Sequence, residues 1–479
     1  MKYVINGRKT ASVFRFFEEI SAIPRPSYYE SGVADYLEGF AQARGLECYR
    51  DGQNNVLIKA PASAGFEDHA PILFQGHTDM VCEKNADVEH DFLRDPIELW
   101  VDGDLLRAKG TTLGADNGIA VAMMLALLDG DVAEHPAYEC LFTTAEEVGL
   151  DGANAFDYTR VRARRMVNLD SEKLGVVTCG CAGGIRSDLT LKFTPESFVG
   201  DALRVSIGGL MGGHSGENIN CGRANANKLM GRLLAMLSRE TDMRVVSIEG
   251  GSKDNAIPRE CTAILSVPNA EAATVCLTDA AAEIAAELVY EDRGFSVSIE
   301  DTDAPVTMLS RADTARVCAI LACAANGVLA MSREVPSLVE FSRNLGVIRT
   351  EGDTLCFVFS SRSALESQLD ASIAELDALA AVTGCETKHH GRYPGWAFAP
   401  TSPLRDVYLD AYRRVTGKDA SVQVIHAGLE CGIIYSHLPD MDIISIGPNL
   451  FDIHSPAEAM SLSSVETVYE TLAALLRLL

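Results

Sequence analysis

The sequence lacks the long apolar run that a membrane-spanning helix needs. Its most apolar stretches, such as residues 118–128, are too short to cross about 30 Å of hydrocarbon, and residues 1–10 lack the apolar segment of a secretory signal peptide. Basic residues are outnumbered by acidic ones, which gives the 479-residue chain a formal net charge of −26. That charge disfavours nucleic acid and anionic membranes as partners. We therefore expect a cytoplasmic protein that binds small molecules or metal ions.

The sequence also lacks paired cysteines. Its 13 cysteines are scattered without a C-x-x-C pair, which favours reduced thiols over a disulfide framework. Cys179 and Cys181 are separated by one residue, but two ordinary thiols explain them better than a structural zinc site, which needs two such pairs or added histidines. No HExxH, Walker A or GxSxG sequence is present, and residues 208–213 lack the GxGxxG spacing of a dinucleotide site. The common signatures of HExxH zinc peptidases, P-loop nucleoside triphosphatases, serine hydrolases and dehydrogenases are therefore missing.

Two patterns of secondary structure alternate along the chain. In the first part, apolar periodicity predicts helices at 12–23, 30–44 and 117–128 between short buried strands at 55–59, 72–75, 139–143 and 165–169. This alternation is typical of an α/β domain. Residues 186–394 instead predict longer alternating strands paired with amphipathic helices, and the first pattern returns at residues 395–479. We predict a discontinuous α/β domain with a mixed sheet, formed by residues 1–185 and 395–479, and an inserted α+β domain at 186–394.

The inserted region contains a faint internal repeat. Residues 253–257 and residues 342–346 each contain an asparagine, Asn255 or Asn344, and each is followed by a strand and a helix. The order of the predicted strands and helices repeats more clearly than the amino-acid sequence does. The pattern is compatible with an internal duplication of the inserted domain.

Imidazole and carboxylate side chains stand at the ends of the predicted strands. In open α/β sheets, ligands bind at the carboxyl ends of the strands. Taken singly, each residue has a simpler interpretation: a core histidine, a helix N-cap for Asp116, or a surface turn for the adjacent acids. Together they favour a metal site, since imidazole and carboxylate suit zinc or a similar first-row ion. The residues are His77, Asp79, Asp116, Glu146, Glu147, Asp170 and His454.

This donor set is too large for one catalytic zinc ion, which normally uses three protein ligands. Two histidines and three carboxylates from this set would instead hold two metal ions about 3.5–4 Å apart, bridged by one carboxylate and one water. The sequence therefore predicts a two-metal centre.

The motifs and their order resemble the co-catalytic zinc peptidases of the M20 clan. Three longer strings resemble a branch of dipeptidases that cleave aminoacyl-histidine and other dipeptides: FQGHTDM at 74–80, FSSRS at 359–363 and VIHAGLECG at 424–432. The resemblance extends over the whole chain. It rests on the motifs His77-Thr78-Asp79, GADNG at 114–118, Glu146-Glu147, Asn168-Leu169-Asp170 and the late His454.

The resemblance implies two Zn²⁺ per chain, with Co²⁺ or Mn²⁺ as possible substitutes. One ion would be held by His77 and Asp170 and the other by Glu147 and His454. Asp116 would bridge the two ions, and the peptide bond after it would be cis. The inserted domain would act as a lid over this zinc-peptidase domain.

Two further carboxylates would serve the reaction without binding metal. Asp79 would orient His77, as carboxylates usually do for a metal-bound imidazole. Glu146 would take a proton from the water between the metals and pass it to the leaving amine. 

Four more residues are candidates for binding the substrate. His214 matches a lid histidine that stabilises the tetrahedral oxyanion, with a structural turn histidine as the alternative. Asn255 and Arg362 match lid positions that contact substrate, and Arg362 would bind its C-terminal carboxylate, with a surface salt bridge as the alternative. Glu430 is a candidate, from charge alone, for holding the free α-amine of a dipeptide.

These expectations predict an enzyme that hydrolyses dipeptides with free N-termini, including β-alanyl-histidine. The alternatives are an N-acyl amino acid deacylase of the same fold, which needs no ammonium site, and a non-catalytic metal-binding protein. The last would be expected to lose the base or a bridging ligand, and Glu146 and Asp116 are both present. Dimeric members of the clan supply the lid histidine from the partner subunit. We therefore expect a homodimer through the lid domain, in which His214 acts either in its own subunit or in the partner.

Overall fold

The computed structural model describes residues 3–288 and 292–479. The chain divides into two compact units. Unit 1 comprises Met1–Gly180, Ala397–Val424 and Leu429–Leu479, and unit 2 comprises Cys181–Trp396 and Ile425–Gly428. The short segment 425–428 thus belongs to unit 2 although unit 1 segments flank it.

The helices and strands are numbered in chain order. The helices are α1 (Ala11–Ser21), α2 (Ser31–Arg44), α3 (Ala115–Leu128), α4 (Asp151–Ala155), α5 (Ala226–Glu240), α6 (Ala270–Glu287), α7 (Arg311–Cys323), α8 (Glu366–Thr383), α9 (Pro403–Thr416), α10 (Glu430–His437) and α11 (Leu462–Leu478). The strands are β1 (Glu47–Arg50), β2 (Val56–Ala60), β3 (Ile72–His77), β4 (Leu99–Asp102), β5 (Leu105–Ala108), β6 (Tyr138–Thr143), β7 (Arg165–Asn168), β8 (Val176–Cys181), β9 (Gly183–Lys192), β10 (Glu196–Ser197), β11 (Asp201–Gly208), β12 (Gly213–His214), β13 (Arg244–Gly250), β14 (Ala256–Ile257), β15 (Cys261–Val267), β16 (Ser296–Asp301), β17 (Thr307–Met308), β18 (Gly327–Met331), β19 (Val339–Glu351), β20 (Thr354–Ser363), β21 (Glu386–Tyr393), β22 (Ser421–Ile425), β23 (Asp442–Ser445), β24 (Leu450–Phe451) and β25 (Ala459–Ser461). Among the described residues, no helix combines the length and apolarity needed to cross a bilayer.

Unit 1 is built on a mixed sheet with the strand order β1-β2-β6-β3-β7-β23-β8-β22. Strand β3 runs parallel to β6 and β7, and β23 runs parallel to β7. Every residue of β3 and β6 is buried, as expected for central strands covered on both faces. Because β3, β6 and β7 are parallel, their carboxyl ends share one edge of the sheet. The predicted mixed α/β fold is confirmed.

Helix α3 packs inside unit 1 and carries the turn at 114–118. It is apolar on all sides and almost wholly buried, which is what a helix without a polar face requires. Its first turn departs from helical geometry at Asp116 and Asn117, and the peptide bond between these two residues is cis, as the resemblance implied.

Unit 2 contains an antiparallel sheet with the order β16-β11-β15-β13-β19-β20-β9-β21. The elements β11-α5-β13-β15-α6-β16 form one half, and β9-α7-β19-β20-α8-β21 form the other. In each half the sheet places the fourth strand beside the first, then the third, then the second. The two halves meet where β13 pairs with β19. This shared order agrees with the suggested internal duplication, which itself stays a prediction.

Candidate metal centre

The ends of the parallel strands bring the predicted ligands of unit 1 together. Strand β3 ends at His77, and the segments after β6 and β7 carry Glu147 and Asp170. The other two candidates come from turns, with Asp116 at the start of α3 and His454 between β24 and β25. His454 has a left-handed backbone, with a φ of 59°, which is uncommon for a residue other than glycine.

Asp116 faces two histidines, one with each carboxylate oxygen. Its Oδ1 lies 3.3 Å from Nε2 of His77, and its Oδ2 lies 3.1 Å from Nε2 of His454. Nε2 of His77 is also 3.6 Å from Oδ1 of Asp170, and Nε2 of His454 is 3.1 Å from Oε1 of Glu147. Two groups of three potential ligands thus share Asp116.

These spacings fit metal ligation. Two ligands bound tetrahedrally at about 2.0–2.1 Å from one zinc ion lie about 3.3 Å from each other. The four contacts made by His77 and His454 lie around that length, between 3.1 and 3.6 Å. Because Asp116 belongs to both groups, the geometry fits two ions that share one carboxylate.

The charges of the site also favour bound metal ions. Burial alone would lower the pKa of His77, but Asp170 and a hydrogen bond with Asp116 raise it well above its usual value. Hydrogen bonds with Asp116 and Glu147 raise the pKa of His454 to about 10. The buried carboxylates therefore favour positive charge on both imidazoles. Divalent cations would supply that charge and leave the histidines neutral as ligands.

Asp79 connects two parts of the centre. Its Oδ1 lies 3.3 Å from Nδ1 of His77, on the side of the ring away from Asp116. The same carboxylate accepts hydrogen bonds from the backbone N–H groups of Glu146 and Glu147 and from the hydroxyl of Ser27. Burial would raise the pKa of Asp79, but its interactions with His77 outweigh burial and lower it. Asp79 therefore contacts the imidazole and also binds the backbone of the turn that carries the two glutamates.

Glu146 lies among the ligands. One of its carboxylate oxygens is within 4.8 Å of ligand atoms of His77 and Glu147. Burial raises the pKa of Glu146 well above its usual value, against the opposing charge of His77. A carboxylate with a raised pKa beside a metal centre is suited to accept a proton and release it again.

A profile of the M20 peptidase dimerisation domain matches residues 205–293. The chain is also 37% identical to the cytosol non-specific dipeptidase of Escherichia coli strain K12, over 96% of each chain. The chain belongs to the M20 family of metallopeptidases. Among solved structures, this M20 peptidase is similar to the aminoacylhistidine dipeptidase of Vibrio alginolyticus, with a TM-score of 0.92 and 37% identity over 98% of this chain and 96% of that one. The aminopeptidase PepT of Bacillus cereus, at 16% identity and a TM-score of 0.57 over 98% of each chain, shares the fold.

Glu430 is completely buried beside the centre of the M20 peptidase. Its Oε2 accepts hydrogen bonds from Nε2 of Gln75 at 2.5 Å and from Oγ1 of Thr143 at 2.7 Å. Its Oε1 has no partner among the described residues. Burial raises the pKa of Glu430 to about 7. A buried carboxylate oxygen without a donor is costly, so this atom is suited to a donor from outside the chain.

His214 lies in unit 2 on a short pair of strands. Strand β12 pairs with β14, which places His214 opposite Ala256 and next to the Asn255 segment. Nδ1 of His214 accepts a hydrogen bond from the backbone N–H of Glu217, so the proton of the neutral ring is on Nε2. Burial, assisted by the charge of Arg362, lowers the pKa of His214. The side chain therefore organises its turn through one nitrogen and is a neutral donor through the other.

Arg362 is buried in unit 2 without an acidic partner. Only 7% of the residue is exposed, and its Nη1 donates to the hydroxyl of Tyr393 at 2.9 Å. No carboxylate of the described residues forms an ion pair with it, and its Nε lacks a partner there. The surface salt bridge considered from the sequence is therefore wrong. A buried guanidinium without a counter-charge favours an anionic ligand.

Sequence reasoning missed His426 and Glu458. His426 is buried in unit 2, with Nε2 2.7 Å from Oγ of Ser342, and burial together with Arg362 lowers its pKa to about 3. It stands inside the string at 424–432, but a single histidine there gave no signal of its own. Glu458 follows His454 by four residues, and only the folded chain shows that it contacts the turn of Asp116.

Proposed function

We propose that this chain is a metal-dependent dipeptidase that hydrolyses dipeptides with a free N-terminus. The observation that carries the proposal is the position of Asp116, whose two oxygens face His77 and His454 at ligand spacing. The chain's membership of the M20 family and its similarity to two dipeptidases support the same reaction. Two divalent cations, for which we propose zinc, would polarise the scissile carbonyl and activate a water molecule.

The chain's own residues would move the proton and stabilise the developing charge. Glu146 accepts the proton of the attacking water and delivers it to the leaving nitrogen, which a carboxylate of raised pKa does readily. Asp79 keeps His77 and the Glu146 turn in place. His214, neutral and protonated at Nε2, donates a hydrogen bond to the oxyanion of the tetrahedral state.

Two buried groups would recognise the charged ends of the substrate. The guanidinium of Arg362, which has no acidic partner among the described residues, binds the C-terminal carboxylate, with Asn255 as a further contact. Oε1 of Glu430 binds the α-ammonium group and thereby gains the donor it otherwise lacks. Glu430 favours the dipeptidase over the deacylase, because an N-acyl substrate has no ammonium group to offer.

The substrate range we propose includes β-alanyl-histidine and other dipeptides. The Vibrio alginolyticus protein is named for aminoacyl-histidine and the Escherichia coli protein for non-specific dipeptide cleavage. We also propose that this enzyme acts in the cytosol, as the name of the Escherichia coli relative states for that protein.

The direct test compares β-alanyl-histidine, leucyl-glycine, a tripeptide and N-acetyl-leucine as substrates. We expect cleavage of the two dipeptides and little cleavage of the tripeptide or the acetylated amino acid. Cleavage of N-acetyl-leucine alone would make the protein a deacylase. No turnover of any substrate by protein with bound metal would indicate a non-catalytic metal-binding protein.

We further propose a homodimer formed through unit 2, which the match of residues 205–293 to a dimerisation domain supports. Light scattering after size exclusion gives the mass in solution, and a monomer would contradict the proposal. Mixed dimers of His214→Ala and Glu146→Ala chains then locate the action of His214. Partial recovery of activity means that His214 acts in the partner subunit, and no recovery means that it acts in its own.

A further inference from the structure

The carboxylate of Glu458 accepts hydrogen bonds from four successive backbone N–H groups. Its Oε2 accepts from Leu113 at 2.7 Å and Gly114 at 3.0 Å. Its Oε1 accepts from Ala115 at 2.9 Å and Asp116 at 3.3 Å. Only 3% of Glu458 is exposed. One buried side chain thus binds the entire turn from which the bridging carboxylate projects.

The other side of this turn is held by Arg25. Nη2 of Arg25 donates to the backbone carbonyl of Gly114, and Nη1 donates to the carbonyls of Thr78 and Asp79. Gly114 has a φ of +67°, and a Cβ on it would lie 2.5 Å from Nη2 of Arg25. The turn is therefore fixed from both sides, by a buried anion at its N–H groups and a buried cation at a carbonyl.

Glu458 and Asp79 each follow a candidate histidine ligand and bind the backbone of a turn that carries a candidate carboxylate ligand. Asp79 follows one candidate histidine ligand by two residues and accepts N–H groups of the turn that carries Glu147. Glu458 follows the other histidine ligand by four residues and accepts N–H groups of the turn that carries Asp116. In both cases a carboxylate that does not face the metal centre joins a histidine segment to a carboxylate segment.

We propose that Glu458 is a positioning residue of the metal centre, which holds Asp116 at the distance from His454 that lets one carboxylate serve both metal ions. The inference rests on the proposed two-metal site. Four convergent N–H donors need an acceptor with two equivalent oxygens, and a carboxylate is such an acceptor. A glutamine would aim its NH₂ group at two of these N–H groups. The turn would then shift, and Asp116 would shift with it.

The test compares Glu458→Gln with Glu139→Gln. Glu139 is the control, because it is also 3% exposed, lies in unit 1 near the start of β6 and accepts backbone N–H groups, from Arg162 and Ala163, although it also pairs with Lys59. We measure the affinity of each metal-free protein for Zn²⁺ by chelator competition and record the visible spectrum of each Co²⁺ form. Binding of metal alone is the readout, so the result does not depend on whether the protein is a dipeptidase.

For Glu458→Gln we expect Zn²⁺ affinity to fall by about 10- to 100-fold, the usual effect of removing a partner that orients a ligand, and the Co²⁺ spectrum to change. Glu139→Gln should lose a similar amount of thermal stability and keep the wild-type affinity and spectrum. Wild-type metal affinity and spectrum in Glu458→Gln would overturn the proposal. If that variant does not fold, Glu458→Asp replaces it. Aspartate keeps the charge, but its side chain is one methylene shorter, so the carboxylate lies farther from the turn. The same loss of affinity is expected, and wild-type affinity would again overturn the proposal.

Discussion

The carboxylate of Asp79 accepts a hydrogen bond from the backbone N–H of Glu146, with 3.1 Å between Oδ1 and the nitrogen. This bond joins the segment after strand β3 to the turn after β6, so the position of Glu146, the proposed general base, depends on a residue in the histidine segment. The same oxygen lies 3.3 Å from Nδ1 of His77. One side chain therefore contacts both the proposed ligand His77 and the backbone of the proposed base Glu146.

Asp79→Asn should lower both metal affinity and kcat, because an amide can accept from one side only and cannot match the charge of the carboxylate. We expect metal affinity to fall by about 10- to 100-fold, as it does when other partners of metal-binding histidines are removed. The matched control is Asp442→Asn at the opposite end of the parallel strands, where the carboxylate accepts from Ser402 and from the backbone of Leu404. Equal metal affinity in the two variants would contradict the role of Asp79.

Glu146→Gln should reduce kcat by about 10²- to 10⁴-fold, the usual contribution of a general base, while metal content stays unchanged. Glu147→Gln, one residue away, should instead lose metal, because Glu147 lies at ligand distance from His454. Steady-state kinetics and metal analysis of the two variants separate a proton-transfer group from a ligand. A Glu146→Gln protein with a wild-type kcat would exclude Glu146 as the base.

Arg362→Lys should raise KM for a dipeptide by about 10- to 100-fold, since hydrogen bonds to charged groups contribute about 1.5–3 kcal/mol. It should leave KM for the corresponding dipeptide amide nearly unchanged. Arg343→Lys is the control, because Arg343 is also buried in unit 2 but already pairs with Glu375. If both variants discriminate acid from amide as the wild type does, Arg362 does not bind the substrate carboxylate.

Glu430→Gln should make the metal-free protein more stable at alkaline pH and a poorer dipeptidase. Burial raises the pKa of Glu430 to about 7, so folded protein favours the protonated form, and stability is lost as the pH rises from about 4.5 through 7. Glutamine keeps the acceptor for Gln75 and Thr143 without the buried charge. Thermal melts should therefore show a gain for the variant at pH 8 and little difference at pH 5.

The kinetic half of the same prediction concerns the α-ammonium group. KM for a free dipeptide should rise in Glu430→Gln, while any weak hydrolysis of its N-acetyl form should not change. An equal effect on both substrates would mean that Glu430 stabilises the fold without recognising the amine.

Local patterns were sufficient to predict the central part of unit 1. A mainly apolar run at residues 72–75 predicted a strand before His77, and the structure has this strand at Ile72–His77. The helix predicted from residue 117 begins at Ala115 in the structure. The prediction missed its first residues because the turn around Asp116 is distorted and shows no helical periodicity in the sequence. The approach of His454 to Asp116 followed from the resemblance and not from any local pattern.

Contacts between distant segments could not be predicted in this way. Glu458 and Leu113 are 345 positions apart, and neither hydrophobic periodicity nor spacing records their hydrogen bond. His426 lies in a segment of four residues that joins unit 2, and no change in composition marks that crossing. The lack of an acidic partner for Arg362 is likewise a property of the folded chain, because its neighbours come from β9, β21 and β19.

We propose that Asp116 is shared by two metal ions and that the reaction needs both. The most direct test adds Zn²⁺ stepwise to metal-free protein and follows hydrolysis of leucyl-glycine together with bound metal. We expect activity to reach its maximum at two equivalents per chain, and Asp116→Asn neither to hold the second equivalent nor to regain activity. Full activity at one equivalent, or activity independent of added metal, would contradict it.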